Sequence, residues 1–251
     1  MKPRDWWKTV FDNTAWIDVD FRLRSDKCIA TDVDGIIKLA KLRPPKRILD
    51  IACGVGRHCR ILAEYGFDVI GVDYSVMVLQ EAQKRIANSP VSAKFICADM
   101  RSLPFANHTF DCTINLYTSW GYFESDDENL SVLFEAYRCL RPGGSLVLDY
   151  TNQWWPSNRK IRRHFEDAGF RYTREAEFDE ETGLYFGVEV YEWLDRREVR
   201  HDEWRVKIYR PEKLVNFLYQ AGFTLIELYG DWQGSPLRED SPRIIAVATK
   251  P

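Results

Sequence analysis

Short apolar runs alternate with amphipathic stretches over the first 150 residues of the chain. Four runs have the length of buried strands: 47–52, 67–73, 93–99 and 110–117. Three stretches repeat their apolar positions with the spacing of a helix: Arg57 to Tyr65, Ser75 to Ala87, and 128–140. The Arg-Pro-Gly-Gly sequence at 141–144 ends the last helix, and a fifth strand follows at 145–151. Such alternation predicts an α/β fold, a doubly wound and mostly parallel sheet with helices on both faces.

Beyond residue 150 the pattern changes. Three long segments rich in charged and aromatic residues follow: 170–178, 184–193 and 197–209. Turn residues such as Glu181, Thr182 and Gly183 separate them, which predicts antiparallel strands inserted into the domain. A helix at 211–223, with Pro211 in its first turn, then leads to two more strands at 224–230 and 243–249.

Composition narrows the class of protein. The 251 residues are 45% hydrophobic and 14% aromatic, enough to bury a sizeable core, so disorder is not expected. The net charge of −3 creates no general attraction to nucleic acid or to an anionic membrane. Without a signal-peptide pattern or a long apolar span, the chain is expected to be soluble and cytoplasmic. Six cysteines without a C-x-x-C pair indicate neither a disulfide framework nor a zinc site, and no metal site is predicted.

The sequence Arg47 to Leu62, RILDIACGVGRHCRIL, places a glycine turn between the first strand and the first helix. A dinucleotide fingerprint would have a third glycine where Cys59 stands, so the turn alone is weak evidence for a ligand. Asp73 and Asp99 end the next two strands, at the same edge of a parallel sheet as Asp50. The three acids favour a nucleoside that carries positive charge, because they would repel a pyrophosphate.

The chain resembles the class I S-adenosylmethionine-dependent methyltransferases. The resemblance covers about residues 30–150 and rests on the order and spacing of five motifs. These are LDIACGVGRH at 49–58, VDYS at 72–75, ADMRSLPF at 98–105, FDCTINLYTSWGYF at 110–123 and LRPGGSLVLDY at 140–150.

The resemblance implies S-adenosylmethionine as cofactor, S-adenosylhomocysteine as product, and a seven-stranded sheet whose last strand, 243–249, is antiparallel. It implies that Asp73 holds the ribose and that the backbone carbonyl of Leu116 faces the amino group of the cofactor. Asp99 either contacts the adenine or caps the next turn. The predicted cofactor-binding residues are Asp50, Ala52, Cys53, Gly54, Gly56, Asp73, Tyr74, Ala98, Asp99, Met100 and Leu116.

One domain is therefore expected over residues 1–251. Its predicted parts are an N-terminal flap (1–30), a cofactor-binding core (31–155), an antiparallel lid (156–209), and a C-terminal helix with the final strand pair (210–251). The flap segment is rich in tryptophan and phenylalanine, so it either covers the cofactor or packs on the sheet edge.

Candidate catalytic residues follow from the chemistry of a sulfonium methyl donor. Such a donor needs alignment of the acceptor and exclusion of water more than a general base. Tyr117, Trp120 and Tyr122, at the exit of the fourth strand, are predicted to form the wall of the acceptor pocket. His201 could accept a proton from an amine, although its charged surroundings also fit an exposed strand.

The sequence also predicts the kind of molecule that accepts the methyl group. A small molecule methylated on nitrogen or oxygen is predicted, with no membrane partner and with an oligomeric state that the sequence does not specify. Basic residues cluster between Asn158 and Arg174, which fits a solvated surface or an anionic group of the substrate. A nucleic-acid methyltransferase is an alternative, because the same cluster could bind phosphates. The sequence Asn115-Leu116-Tyr117-Thr118 departs from the N/D-P-P-Y/F motif of nucleobase amine methyltransferases. A nicotinamide-dependent oxidoreductase and a binding module without transfer activity also remain compatible with the glycine turn.

Overall fold

The computed structural model describes residues 5–154, 160–167 and 169–251. Seven strands form the main sheet: β1 (Arg47–Ile51), β2 (Asp68–Asp73), β3 (Lys94–Cys97), β4 (Phe110–Asn115), β5 (Leu140–Thr151), β10 (Thr224–Tyr229) and β11 (Arg243–Thr249). Four strands form a second sheet: β6 (Lys160–Asp167), β7 (Phe170–Asp179), β8 (Leu184–Trp193) and β9 (Glu198–Lys207). The helices are α1 (Trp6–Phe11), α2 (Thr14–Leu23), α3 (Asp26–Leu39), α4 (Arg57–Glu64), α5 (Val76–Ala87), α6 (Asp126–Cys139) and α7 (Pro211–Gln220).

The main sheet has the strand order β10-β11-β5-β4-β1-β2-β3. The five strands from β5 to β3 are parallel, whereas β11 lies antiparallel to both β5 and β10. The order reverses between β1 and β4, so the loops after these strands open a crevice at the carboxyl edge of the sheet. The predicted fold class, including the antiparallel last strand, is confirmed.

Helices cover both faces of the sheet, and each face has its own apolar core. One core joins α6 and α7 to the sheet through residues such as Leu133 and Leu218. The other joins α3, α4 and α5 through residues such as Ile36, Leu62 and Leu79. Neighbouring residues of β1 enter different cores, as a pleated strand buried on both sides requires.

Local capping explains where several helices begin. The hydroxyls of Ser75 and Ser125 accept the backbone N–H of Val78 and Glu128 at the start of α5 and α6. Pro211 occupies the first turn of α7, where its missing N–H costs no helical hydrogen bond.

The second sheet, which we call the lid, is antiparallel with the order β6-β7-β8-β9. One face is buried against the rest of the molecule, where Ala176, Tyr185, Trp204 and Val206 join a core of the main sheet. The Tyr150 hydroxyl of β5 donates to the carbonyl of Lys207 and accepts the Tyr209 N–H at 3.1 Å, which fastens the end of the lid to the main sheet. The lid therefore cannot be removed without exposing core surface.

Strand β6 extends the lid beyond the three segments predicted from sequence, and α1 packs against β9. Part of the predicted basic cluster, at residues 158, 159 and 168, lies outside the described residues. Within the described part of the chain, no helix has the length and apolar character needed to cross a bilayer.

Candidate active site

The glycine turn after β1 uses left-handed backbone conformations to bring its amides towards the crevice. Ala52, Gly54 and Gly56 have φ values of +59°, +56° and +72°, and Gly56 immediately precedes α4. A β-carbon on Gly54 would lie 3.1 Å from the Trp16 ring, so glycine allows the N-terminal segment to lie close over the turn.

A glycine in a ligand-binding turn is usually expected to leave space for the ligand, but Gly56 is needed for packing inside the protein. A β-carbon there would lie 2.7 Å from the Phe95 ring and 3.1 Å from the Ala82 methyl group. Glycine at this position therefore allows the turn to pack on β3 and α5. It does not clear space for a ligand.

The Asp73 carboxylate, at the end of β2, links the loop that follows β1 to the loop that follows β2. It accepts the Gly54 N–H at 2.9 Å and the Ser75 N–H at 3.0 Å. Burial raises the pKa of this carboxyl group, and the backbone hydrogen bonds oppose that effect. A carboxylate has about four acceptor sites, so Asp73, which lines the crevice, can also accept two ribose hydroxyls.

Asp99 lines the crevice and also caps the turn that follows β3. Its carboxylate accepts the Arg101 N–H at 2.9 Å and the Arg101 guanidinium at 2.6 to 3.2 Å. The capping role considered from sequence is therefore present, at the edge of the same cavity.

The first of two cavities lies over the ends of β2 and β3 and has an open volume of about 690 Å³. We call it the nucleoside cavity. Its carboxylates outnumber its single lysine, Lys8, which suits a cationic ligand. The lining residues are Trp7, Lys8, Phe11, Asp12, Trp16, Ala52, Gly54, Val72, Asp73, Tyr74, Ser75, Val78, Ala98, Asp99, Met100, Ser119, Tyr122 and Phe123.

The second cavity lies between the carboxyl edge of the sheet and the lid, with an open volume of about 1640 Å³. We call it the acceptor cavity. It shares Phe11, Trp16, Ala52, Gly54, Ser119 and Tyr122 with the nucleoside cavity, so the two are adjoining parts of one crevice. Asp50, Cys53, Leu116 and Tyr117 line it, as do side chains from the lid.

Asp50 is buried at the junction of β1 and the glycine turn, where it accepts the Cys59 thiol at 3.3 Å. Burial raises the pKa of its carboxyl group to about 6, and the nearby His58 limits the rise. A buried carboxylate without a full counter-charge would be stabilised by a cationic ligand group such as an ammonium.

Tyr117 and Tyr122 occupy different parts of the wall. The Tyr117 hydroxyl donates to Asp32 at 2.6 Å, and the Arg24 guanidinium lies 3.8 Å from the centre of its ring. Tyr122 stacks on Phe11 at 5.3 Å and borders both cavities. Burial raises the pKa of Tyr122 to about 12, so its hydroxyl stays protonated at neutral pH.

Two sequence-predicted residues lie elsewhere. Trp120 is completely buried and donates its Nε1–H to the Asn129 carbonyl at 2.7 Å, so it belongs to the core and not to the pocket wall. The left-handed turn at Tyr117 and Thr118 reverses the chain before it, which sends Trp120 inward. His201 is exposed on the outer face of β9 and lines neither cavity, which agrees with the exposed strand considered from sequence and not with a proton acceptor.

The predicted cofactor-binding residues converge on the crevice with one exception. Ten of them line one or both cavities, and Gly56 supports the turn from behind. Sequence reasoning missed Asp12, which accepts the Ser75 hydroxyl at 2.7 Å, and three arginines of the acceptor cavity: Arg24, Arg57 and Arg243. The aromatic N-terminal segment lines the nucleoside cavity through Trp7, Phe11 and Trp16, as expected of a flap. Trp6 and Trp7 also pack in a core of the main sheet, as expected of the alternative.

Comparison with known proteins gives matches in one family. A family model described as "Methyltransferase domain" matches residues 48–144. A protein of Geobacillus sp. (strain WCH70), whose name describes a methyltransferase, is 30% identical over 218 residues, which are 82% of this chain and 85% of that protein. The glycine/sarcosine N-methyltransferase of Aphanothece halophytica is 29% identical over 224 residues, 88% and 82% of the two chains.

Solved structures show the same fold over nearly the whole chain. The CcbJ methyltransferase of Streptomyces caelestis has a TM-score of 0.81 at 18% identity and covers 96% of this chain and 97% of its own. CalS10 of Micromonospora echinaspora, an amino pentose methyltransferase solved with S-adenosylmethionine bound, has a TM-score of 0.73 at 18% identity, with coverages of 95% and 97%.

We expect Asp73→Asn to weaken cofactor binding by about 1.5–3 kcal/mol, because it removes charged hydrogen bonds to the ribose. Calorimetric titration with S-adenosylhomocysteine measures the change. Asp68→Asn is the matched control, since Asp68 lies exposed at the other end of β2 and pairs with Arg47 at 3.0 Å. Equal affinity in Asp73→Asn and the control would remove the ribose role from Asp73.

Gly56→Ala should destabilise the fold by about 2–4 kcal/mol, because left-handed strain adds to the contact with Phe95 and Ala82. Gly143→Ala is the control, because Gly143 has a φ of +76° and open space around it, so it should lose only about 1 kcal/mol. Urea denaturation compares the two. Similar losses would mean that Phe95 moves aside easily.

Asp50→Asn should make the ligand-free protein more stable above pH 6 and weaken its cofactor binding. Because burial raises the pKa of Asp50 from 3.8 to about 6, the stability that its protonated form provides is present at low pH and is lost as pH rises through about 6. The gain at about pH 8 should be on the order of 3 kcal/mol and should vanish near pH 4. Melting curves at both pH values test this, and a gain independent of pH would contradict it.

Proposed function

The chain belongs to the class I S-adenosylmethionine-dependent methyltransferases, and we propose that it methylates a nitrogen or oxygen atom of a small molecule. The observation that carries the proposal is the acceptor cavity, which adjoins the nucleoside cavity and is roofed by the lid. A covered cavity of this kind fits a small acceptor and excludes water from the reaction.

The residues of the crevice fit the cofactor. Asp73 would accept the ribose hydroxyls, and buried Asp50 would provide the negative charge that suits an ammonium group. Aromatic rings of Phe11, Trp16 and Tyr122 surround the passage between the cavities, where their faces stabilise a cationic ligand. When bound, S-adenosylmethionine supplies an activated methyl group for in-line displacement.

Alignment is the main task left to the protein. Tyr122 borders both cavities and remains protonated at neutral pH, so its hydroxyl can donate a hydrogen bond to the acceptor and cannot serve as a base. The Tyr117 ring is fixed by Asp32 below and by the Arg24 guanidinium on its face, which gives the cavity a rigid wall. An amine acceptor is favoured by the relatives that act on glycine, sarcosine and amino sugars.

The charges argue against an oxidoreductase and against a nucleic-acid methyltransferase. The carboxylates of the nucleoside cavity would repel the pyrophosphate of a nicotinamide cofactor. Two outward-facing arginines of the basic cluster are neutralised on the lid surface: Arg162 pairs with Glu175, and Arg171 pairs with Glu166 and Glu192. Paired arginines leave little charge for a phosphate backbone.

Methyl-label transfer tests the function directly. The purified chain is incubated with methyl-labelled S-adenosylmethionine and either pooled small amines and alcohols or RNA and DNA. Label is expected in the small-molecule fraction. Labelled nucleic acid would overturn the proposal in favour of a nucleic-acid methyltransferase, and cofactor binding without any transfer would indicate a binding module.

Ile161→Trp should abolish methyl transfer while cofactor affinity stays within about twofold. Ile161 lies half-buried on β6 and lines only the acceptor cavity, so a larger ring there takes the place of the substrate. The control is Val188→Trp, an exposed position on the outer face of the same lid. Retained transfer in Ile161→Trp, or loss in both variants, would contradict the assignment of this cavity to the acceptor.

A further inference from the structure

Two arginines lie directly opposite each other on the inner face of the lid. Arg163 of β6 and Arg174 of β7 are paired residues in the antiparallel ladder, and both line the acceptor cavity. Directly opposed residues of an antiparallel pair point to the same face of the sheet, and like charges in such a pair destabilise it. The arrangement therefore needs negative charge to offset it.

The protein supplies only part of that charge. Arg174 lies 3.4 Å from Glu189 and stacks over the Trp204 ring at 4.1 Å. Glu189 also accepts the hydroxyls of Tyr172 and Tyr191, at 2.9 and 2.5 Å, so a single carboxylate serves three donors.

Arg163 has no carboxylate within ion-pairing distance among residues 5–154, 160–167 and 169–251. Its side chain is exposed at the cavity. The one buried carboxylate on this wall thus pairs with Arg174, and the positive charge of Arg163 faces the cavity.

The other arginines of the cavity differ from Arg163, because each has a carboxylate of the protein within ion-pairing distance. Arg57 and Arg24 reach Asp20 at 2.5 and 3.6 Å, and Arg243 reaches Asp149 at 2.6 Å. These guanidinium groups are held by carboxylates of the protein.

We propose that Arg163 and Arg174 form an anion subsite that binds an acidic group of the methyl acceptor, either a carboxylate or a phosphate monoester. A guanidinium binds both groups through paired N–H donors, and two arginines side by side suit an anion with several oxygens. The inference rests on the proposed function only in making the bound anion part of the acceptor.

Binding of simple anions tests the subsite without any need for turnover. The chain loaded with S-adenosylhomocysteine is titrated with inorganic phosphate and with acetate by calorimetry. Arg163→Met should weaken anion binding by at least about tenfold, because the exposed side chain can be removed without leaving a buried charge. Affinity for S-adenosylhomocysteine should stay within about twofold, which separates this site from the carboxylate of the cofactor.

Arg162→Met is the matched control. Arg162 is the neighbouring residue on β6, points to the outer face and pairs there with Glu175 at 3.2 Å. It should bind both anions as the unchanged protein does. Absence of anion binding, or equal losses in Arg162→Met and Arg163→Met, would overturn the subsite.

Methyl acceptors compared in pairs, one with and one without an acidic group, identify the group that the subsite binds. Methyl-label transfer is measured to sarcosine against sarcosinamide, and to phosphoethanolamine against ethanolamine. A preference of about tenfold or more for one acidic member, lost through a raised KM in Arg163→Met, would identify carboxylate or phosphate as the bound group. Equal transfer to acidic and neutral members would overturn the inference and leave the methyltransferase function intact. Anion binding without transfer to any acceptor would leave the subsite intact and count against the proposed function.

Discussion

The hydrogen bond from the Gly54 amide to the Asp73 carboxylate is the contact on which the geometry of the site depends. Parallel pairing of β1 with β2 brings the two loops side by side, but pairing alone does not shape them. The same carboxylate accepts the Ser75 amide where α5 begins, and the Ser75 hydroxyl donates to Asp12 next to α1. One half-buried carboxylate thus joins the glycine turn, the strand end and a helix start, and through Ser75 it also reaches the N-terminal segment. These are four of the surfaces that enclose the nucleoside cavity.

Much of the fold could be predicted because the main sheet obeys local rules. Buried parallel strands read as apolar runs, and their carboxyl ends meet at one edge, so the amino-acid sequence alone suffices to place three strand-end acids together. Strand β6 was not predicted from the sequence, because its residues, KIRRHFED, are apolar only at Ile161 and Phe165. Pairing with β7 and contact with the cavity hold it in place, and neither is visible in a local pattern.

Directions of side chains could not be predicted where the chain turns sharply. Trp120 and Tyr122 are two residues apart in a region with left-handed residues at Tyr117, Thr118 and Gly121, so one faces the core and the other faces the ligand cavities. The need for glycine at position 56 comes from Phe95, which belongs to another strand and is distant in the sequence. Sequence patterns give the identity of such residues, whereas tertiary packing decides where they point.

The two halves of the crevice carry opposite charge, and this division orders the ligands. Asp73 and Asp99 line the nucleoside cavity, whereas Arg163 and Arg174 line the lid side of the acceptor cavity, which Asp50 also borders. Coulomb interactions are stronger in a covered cavity than in water, so a ligand with its charge in the wrong half meets repulsion. Buried Glu189 of β8 pairs with Arg174 and accepts two tyrosine hydroxyls, whereas Arg163 lies two strands away on β6. An acceptor with an acidic group would complete the charge balance of the lid at the moment when its nucleophile reaches the methyl donor.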